Sequence, residues 1–503
     1  MIKRGLISLL FLSAAFGAQT CESLASLTLA ATTFTHAESV PAATTLPASC
    51  HVAGVIKPSA DSEIRFEVWM PAEGWNGRFQ GAGNGGFAGS INYQQMQAAL
   101  AGGFATASTD TGHQAGATDA AWALGHPEKI VDFGYRAVHL MTVDAKAIIR
   151  AFYGESPRHS YFSSCSNGGR QALMEAQRFP EDYDGIVAGA PANYWTHLLA
   201  NSVWDLLALA GKDNYIPAKK LPAIQAAAMT ACDALDGLKD GLIQDPSRCH
   251  VDPAALECHG AQTDSCLTAP QVTALKKLYA GGRISDGKQV FPGYEPGGEA
   301  EPGGWQVWIT GPAPEQSLMF AFGTQFYKNM MFGNPSWDYR TFNVDRDMKA
   351  ADDKLAGTLN ATDPDLSRFR ARGGKLILYH GWNDAAIGPL STIDYYQNVV
   401  AKAGAGYARG FVRLFMVPGM QHCFGGAGPN SFGQFGGAAG DPDHDIGAAV
   451  EQWVEHGIAP ERIVATRSQP LRTRPLCAYP SVARYKGTGS IDDAANFVCG
   501  PAE

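Results

Sequence analysis

The sequence predicts an α/β protein: a largely parallel sheet whose chain is interrupted by one large insertion. Three observations carry this. Short apolar runs with strand character at 159–162, 185–191, 374–380 and 412–417 alternate with helical periodicity at 133–153, 172–179, 391–403 and 445–455, and that alternation signals parallel strands with crossover helices. Between residues 192 and 365 the alternation stops, and helical pieces are separated by Gly/Pro-rich loops. After residue 365 it resumes, so the core is assembled from two separated halves of the chain. The expected division is a leader at 1–18, core at 19–191, an inserted lid domain at 192–365 and core again at 366–503.

The first residues carry Lys3 and Arg4, an apolar run over 6–16, and then Gly17 and Ala18. This is the pattern of a secretory signal peptide, and the run is too short to span a bilayer. A secreted or periplasmic protein is expected, with no membrane attachment after cleavage. The 503 residues include 57 Gly and 29 Pro, and 17% are charged, which suits a loop-rich globular chain. A formal net charge of −9, without any long Lys/Arg run, argues against a nucleic-acid partner. Ten cysteines in an exported chain imply disulfides. No Cys-x-x-Cys pair occurs, which argues against a zinc site. Pairing near neighbours gives Cys21–Cys50, Cys232–Cys249, Cys258–Cys266 and Cys477–Cys499. Cys165 and Cys423 are left over.

Residues 50–112 read as β-rich, with strands at 51–56, 63–70, 77–80 and 105–110; alternation over 64–70 has period two. Gly81-Ala82-Gly83-Asn84-Gly85-Gly86 follows the third of these. No Lys-Ser/Thr follows it and no βαβ unit surrounds it, so it is neither a Walker loop nor a dinucleotide fingerprint. It reads either as a plain turn or as a loop whose backbone N–H groups face a reacting oxygen. In the lid, helices are expected at 221–235 and 269–278. Aromatic and methionine residues gather there at Trp305, Trp308, Met319, Phe320, Phe322, Phe326, Tyr327, Met330, Met331 and Phe332. The bland reading is a small core; a lid over an apolar ligand would turn some of them to the cleft.

The chemistry-bearing stretch is 163–171, Ser-Ser-Cys-Ser-Asn-Gly-Gly-Arg-Gln, set between strand and helix. A serine at the apex of such a turn is the nucleophile-elbow arrangement, although Ser164 stands where Gly-x-Ser-x-Gly has its first glycine. A serine nucleophile needs a base, and the base an orienting acid. Asp384 follows the strand at 374–380 and His422 the strand at 412–417, in the order and positions of an α/β-hydrolase fold. His380 is a rival base, but it leaves no later acid in that order. If Ser166 and His422 meet, their neighbours Cys165 and Cys423 come close enough to bridge. In the lid, Asp233, Asp236 and Asp240 surround a glycine turn without EF-hand spacing. They read either as an acidic solvated turn or as ligands for a hard cation.

Cys165–Gln171, Gly-Trp-Asn-Asp at 381–384, Gln-His-Cys at 421–423 and the cysteine-bounded ending at 474–499 resemble the tannase and feruloyl esterase family. Within it they are most similar to the bacterial branch that includes mono(2-hydroxyethyl) terephthalate hydrolase. The resemblance implies an α/β-hydrolase fold with a large lid and a Ser166–His422–Asp384 triad stapled by Cys165–Cys423. It implies an oxyanion hole from the backbone N–H groups of Asn167 and Gly86. It also implies a structural Ca²⁺ held by Asp233, Asp236 and Asp240 with the carbonyls of Leu238 and Leu242, and an apolar wall at Ile387. The implied activity is hydrolysis of small aromatic esters, feruloyl-type first, with galloyl esters and terephthalate monoesters as alternatives. A secreted polyphenol- or carbohydrate-binding protein is the non-enzymatic reading. No arginine lies between Arg283 and Arg340, where the terephthalate hydrolase holds its substrate's carboxylate.

Overall fold

Alternation of side chains between two faces builds the sheet. The structure, a computed structural model, describes residues 18–435 and 440–502, so the expected leader lies outside the described residues apart from Ala18. Among the described residues the main sheet has nine strands. They are β1 (Thr32–Val40), β2 (Ser49–Ile56), β3 (Ile64–Pro71), β4 (Arg78–Ala82), β5 (Ala105–Thr109), β6 (His159–Cys165), β7 (Gly185–Gly189), β8 (Lys375–Gly381) and β9 (Val412–Val417). Their spatial order is β1-β2-β3-β5-β4-β6-β7-β8-β9. β1 to β3 and β5 pair antiparallel; from β5 through β4 to β9 every pairing is parallel.

The parallel part is covered on both faces, which is why β5, β7 and β9 are buried throughout. Ile186, Leu376, Leu378 and Leu414 face one core with Met141, Ala145, Ile148 and Ile149 of helix Ala137–Tyr153 and Leu173 of helix Asn167–Arg178. Their odd neighbours Val187, Ile377, Tyr379 and Phe415 face a second core with Ala449, Val450 and Trp453 of helix Ile446–His456. The helix expected from 133 starts as a π-helical turn, Asp132–Arg136. β1 escapes a pattern reading because its sequence, TTFTHAESV, is polar and largely exposed. It edges the sheet beside β2, and Cys21–Cys50 ties the turn before it to that strand.

Between Gly189 and Lys375 the chain leaves the sheet. Helix Trp195–Leu209, buried on almost every side, packs with Met319, Phe326, Tyr327 and Met330 against Phe87 and Phe133 of the sheet half. A second cluster joins Leu209, Ile224, Leu275, Leu278, Trp305 and Ile309. The helix expected over 221–235 ends at Cys232, where a 3₁₀ turn, Asp233–Asp236, and Gly237 at φ 87° stop it. After helix Ile446–His456 come two hairpins, β10 (Arg462–Ser468) with β11 (Leu471–Cys477) and β12 (Val482–Tyr485) with β13 (Phe497–Gly500). Cys477–Cys499 joins them, and Cys232–Cys249 and Cys258–Cys266 brace loops of the insertion. No described helix is long and apolar enough to cross a membrane.

Candidate active site

The turn after β6 is strained at one residue. Ser166 has φ 68° and ψ −127°, a region that non-glycine residues enter only where the surroundings force it. Its N–H donates to Gly189 O at 2.9 Å, and its carbonyl accepts from Ala192 N at 3.1 Å. The turn is thus bonded to the end of β7. Asn167 begins the helix, so its N–H is among the donors that a helix start leaves unpaired.

The rest of the motif holds this turn. Gln171 accepts from Asn84 N at 2.9 Å and returns a bond to Asn84 Oδ1 at 3.2 Å, and Asn84 Nδ2 donates to Thr109 O at 2.9 Å. The glycine-rich loop is thereby pinned to the helix after Ser166. In that loop Gly86 has φ 57°, and a Cβ there would meet Ala117 O at 2.3 Å. Arg170 is fully buried. Its Nε donates to Asn167 Oδ1 at 2.8 Å, Nη1 to Gly134 O at 2.8 Å and Nη2 to Phe133 O at 2.9 Å. Phe133 and Gly134 lie in the π-helical turn, and the guanidinium also stacks over Phe133 and Trp195. Burial lowers the Arg170 pKa to about 9, with Arg178 adding to the effect. Sequence reading passed over Asn84, Arg170 and Gln171. Polar residues at i, i+4 and i+8 (Asn167, Gln171, Glu175) mark one side of the helix and point to Gln171, but no sequence pattern marks Asn84 or Arg170.

The loops after β8 and β9 bring the partners. His422 Nε2 lies 2.9 Å from Ser166 Oγ, and His422 Nδ1 lies 2.7 Å from Asp384 Oδ2. Asp384 is fully buried, and its Oδ1 accepts from Ala386 N at 2.7 Å and Ile387 N at 2.9 Å. His380 stands on the other side of the acid, fully buried. With its proton on Nε2 it donates to Asp384 Oδ2 at 3.0 Å and accepts the Thr392 hydroxyl on Nδ1 at 2.7 Å. Burial pushes the Asp384 pKa up. The His422 charge and the hydrogen bonds from both histidines outweigh it and hold the carboxyl well below the usual carboxylate range. Cys165 and Cys423 are disulfide-bonded with Cα atoms 6.0 Å apart, so the turn bearing the serine and the loop bearing the histidine are covalently joined.

A cavity opens onto Ser166 and His422. Gly86 and Asn167 line it, with Ala386 and Ile387 on one wall and Trp308, Met319 and Phe322 on another. Helix Trp195–Leu209 adds Trp195, Leu198, Leu199 and Ser202 at helical spacing. Apart from His422, no ionisable side chain lines it. Ser202 Oγ is already committed to Leu198 O at 3.0 Å. Trp308 meets the His422 ring edge-on at 5.0 Å and stacks on Phe322. The lid's aromatic cluster therefore divides. Trp308, Met319 and Phe322 face the cavity, whereas Phe326, Tyr327, Met330 and Met331 are core.

The acidic turn of the insertion offers oxygen donors. Asp233 Oδ1 accepts from Gly241 N at 3.1 Å, Asp236 Oδ1 from Leu238 N at 3.0 Å and Asp240 Oδ1 from Leu242 N at 3.2 Å. The other Asp240 oxygen pairs with the buried guanidinium of Arg474. The three carboxylates do not come within 4.8 Å of one another as a set, and would have to draw together around an ion. As a donor set, all oxygen and closed on itself by Asp233, the turn suits a hard cation.

A sheet of this order, with serine, acid and histidine on the loops after β6, β8 and β9, defines the α/β-hydrolase fold. The chain belongs to the tannase and feruloyl esterase family, whose pattern, described as Tannase and feruloyl esterase, matches residues 50–500. It is 44% identical to an uncharacterized esterase of Xanthomonas campestris pv. campestris, over 97% of this chain and 92% of that protein. It is 36% identical to mono(2-hydroxyethyl) terephthalate hydrolase of Piscinibacter sakaiensis, over 92% of this chain and 86% of that one. The crystal structure of feruloyl esterase B from Aspergillus oryzae superposes with a TM-score of 0.88 at 32% identity, covering 95% of this chain and 99% of that one. The protein is a carboxylic ester hydrolase.

Proposed function

We propose that this esterase hydrolyses esters of uncharged aromatic acids, feruloyl-type hydroxycinnamates first, through an acyl-enzyme on Ser166. The observation that carries the reading is the cavity against Ser166 and His422, walled by aromatic and aliphatic side chains and lined by no Asp, Glu, Lys or Arg. Such a wall takes an aromatic acyl group, and it penalises a substrate carboxylate that would be buried without a partner. That carboxylate sets terephthalate monoesters behind ferulates; galloyl esters, which carry none, come second.

In the proposed reaction Ser166 Oγ attacks the ester carbonyl as its proton passes to His422 Nε2, and Asp384 steadies the imidazolium. The backbone N–H groups of Asn167 and Gly86 receive the oxyanion; one such donor is typically worth on the order of 10²–10³ in rate. The alcohol leaves with the proton from His422. Water, deprotonated by His422, then attacks the acyl carbon and frees Ser166 and the acid. Five disulfides support export to an oxidising compartment. In the lid, Asp233, Asp236 and Asp240 with the carbonyls of Leu238 and Leu242 would hold a Ca²⁺, which would supply rigidity to the turn rather than chemistry.

The test is kcat/KM on methyl ferulate, methyl gallate and a terephthalate monoester, with and without a calcium chelator. Ferulate is expected to exceed the terephthalate monoester by at least about tenfold, which corresponds to roughly 1.4 kcal/mol of discrimination. Ser166→Ala should fold normally and lose on the order of 10⁶-fold in kcat. Preference for the terephthalate monoester would overturn the substrate assignment, and turnover by Ser166→Ala would overturn the mechanism. A thermal midpoint indifferent to calcium and chelator would remove the metal.

A further inference from the structure

Far down the helix that begins at Asn167, three side chains from three separate segments meet. They are His139 of helix Ala137–Tyr153, Glu175 of helix Asn167–Arg178, and Asp182 of the turn that follows. One possible ligand atom from each lies within 4.8 Å of the other two, and His139 Nδ1 is 2.6 Å from Asp182 Oδ2. Glu175 is 1% exposed, and neither of its carboxylate oxygens meets a hydrogen-bond donor. A carboxylate taken out of water without a partner is costly, so such groups are paired, protonated or bound to a metal. Burial, and then the facing Asp182 carboxylate, push the Glu175 pKa well above its ordinary range. Lys146, the ammonium beside this cluster, donates instead to the backbone carbonyl of Asp182.

We propose that His139, Glu175 and Asp182 form a binding site for a divalent transition-metal cation of the zinc class, separate from the oxygen-only turn of the lid. One imidazole and two carboxylates are a donor set that zinc-class ions accept, whereas calcium takes oxygen ligands. The missing Cys-x-x-Cys pairs argue against cysteine zinc sites and leave this class untouched. Phe179 stacks on the His139 ring at 3.8 Å and 8°, which restricts how the ring can turn. The His139 side chain is 25% exposed, giving the ion a way in and a water-facing fourth position. Glu175 lies in the last turns of its helix, where the negative end of the dipole favours a cation. A cation there would anchor the far end of the helix whose first residue adjoins the nucleophile; its role is bracing, not catalysis.

The probe is Co²⁺ added to metal-stripped full-length protein with calcium present in excess. The expected result is one Co²⁺ retained per chain, a visible ligand-field band and a higher thermal midpoint. His139→Ala and Glu175→Gln should each abolish all three, with turnover of a chromogenic ester retained. Failure of the wild type to retain Co²⁺ would overturn the site, as would retention by His139→Ala. So would a Glu175→Gln variant more stable than metal-free wild type in protein that binds no Co²⁺, the mark of a proton shared between Glu175 and Asp182.

Discussion

Ser164 stands where nucleophile turns usually carry glycine, and the room for it comes from its neighbours. A Cβ built on Gly168 would meet Ser164 Oγ at 1.9 Å and Cβ at 2.5 Å, and one on Gly83 would meet Ser164 Cβ at 2.9 Å. The glycine requirement has moved one strand over and one helical turn on. Gly168→Ala should therefore cost about 1–3 kcal/mol, the usual range for overpacking, and cut turnover sharply. Ser164→Gly should be mild alone and should rescue Gly168→Ala; urea denaturation and ester turnover of the three variants check this, and additive losses would refute the packing account. Asp110 sets a second test. Its Oδ1 accepts from Arg65 N and Gly112 N, but Oδ2 is buried without a partner. Burial raises its pKa to about 7 despite those bonds. Between the unfolded value near ~4 and about 7 the folded state holds a proton that the unfolded chain has lost. Stability should thus fall as pH rises through that window, by up to about 4 kcal/mol from this group. Asp110→Asn should flatten the slope; equal pH dependence of the two proteins in urea denaturation would refute it.

At the scale of elements, the active loops follow the ends of β6, β8 and β9, and the link between the first and last is covalent. Cys165–Cys423 spans 258 residues of sequence, so its loss should relax both the unfolded chain and the site. The Cys165→Ser/Cys423→Ser protein is expected to lose roughly 2–5 kcal/mol, and kcat should fall more than KM rises. A kcat equal to wild type at a temperature where both proteins are folded would show that the bond does not position the loops. Much of this was legible beforehand, because fully buried strands read as continuous apolar runs and each site residue sat in the loop just after one. Two elements were not. β1 is a polar edge strand whose pattern carries no apolar face. Helix Trp195–Leu209 is buried on so many sides that its period is hidden. That helix supplies a wall of the cavity, so its Trp195, Leu198, Leu199 and Ser202 stayed out of reach, whereas Ile387 on another wall came with the family resemblance. Arg170 and the Asn84–Gln171 pair were hidden differently, since their meaning lies in backbone carbonyls and amides brought close by folding.

For the whole molecule, sequence patterning marked two halves of a core around an insertion, and the insertion proves continuous with the core in its packing. Phe87 and Phe133 from the sheet half share one apolar cluster with Trp195, Met319 and Phe326. The same region holds Arg170, which also reaches Leu359 O at 3.4 Å, and Gln177 Nε2 donates to Ala361 O at 3.0 Å. Swinging residues 190–374 away as one body would break the Arg170 contact to Leu359 O and the Gln177 bond to Ala361 O, and would expose that whole cluster to water. A hinge of that kind is too expensive to operate on every turnover. The cover side chains that reach the cavity of Ser166 include Trp308, Met319 and Phe322. The cover over Ser166 is in this respect a roof built onto its walls rather than a lid on a hinge.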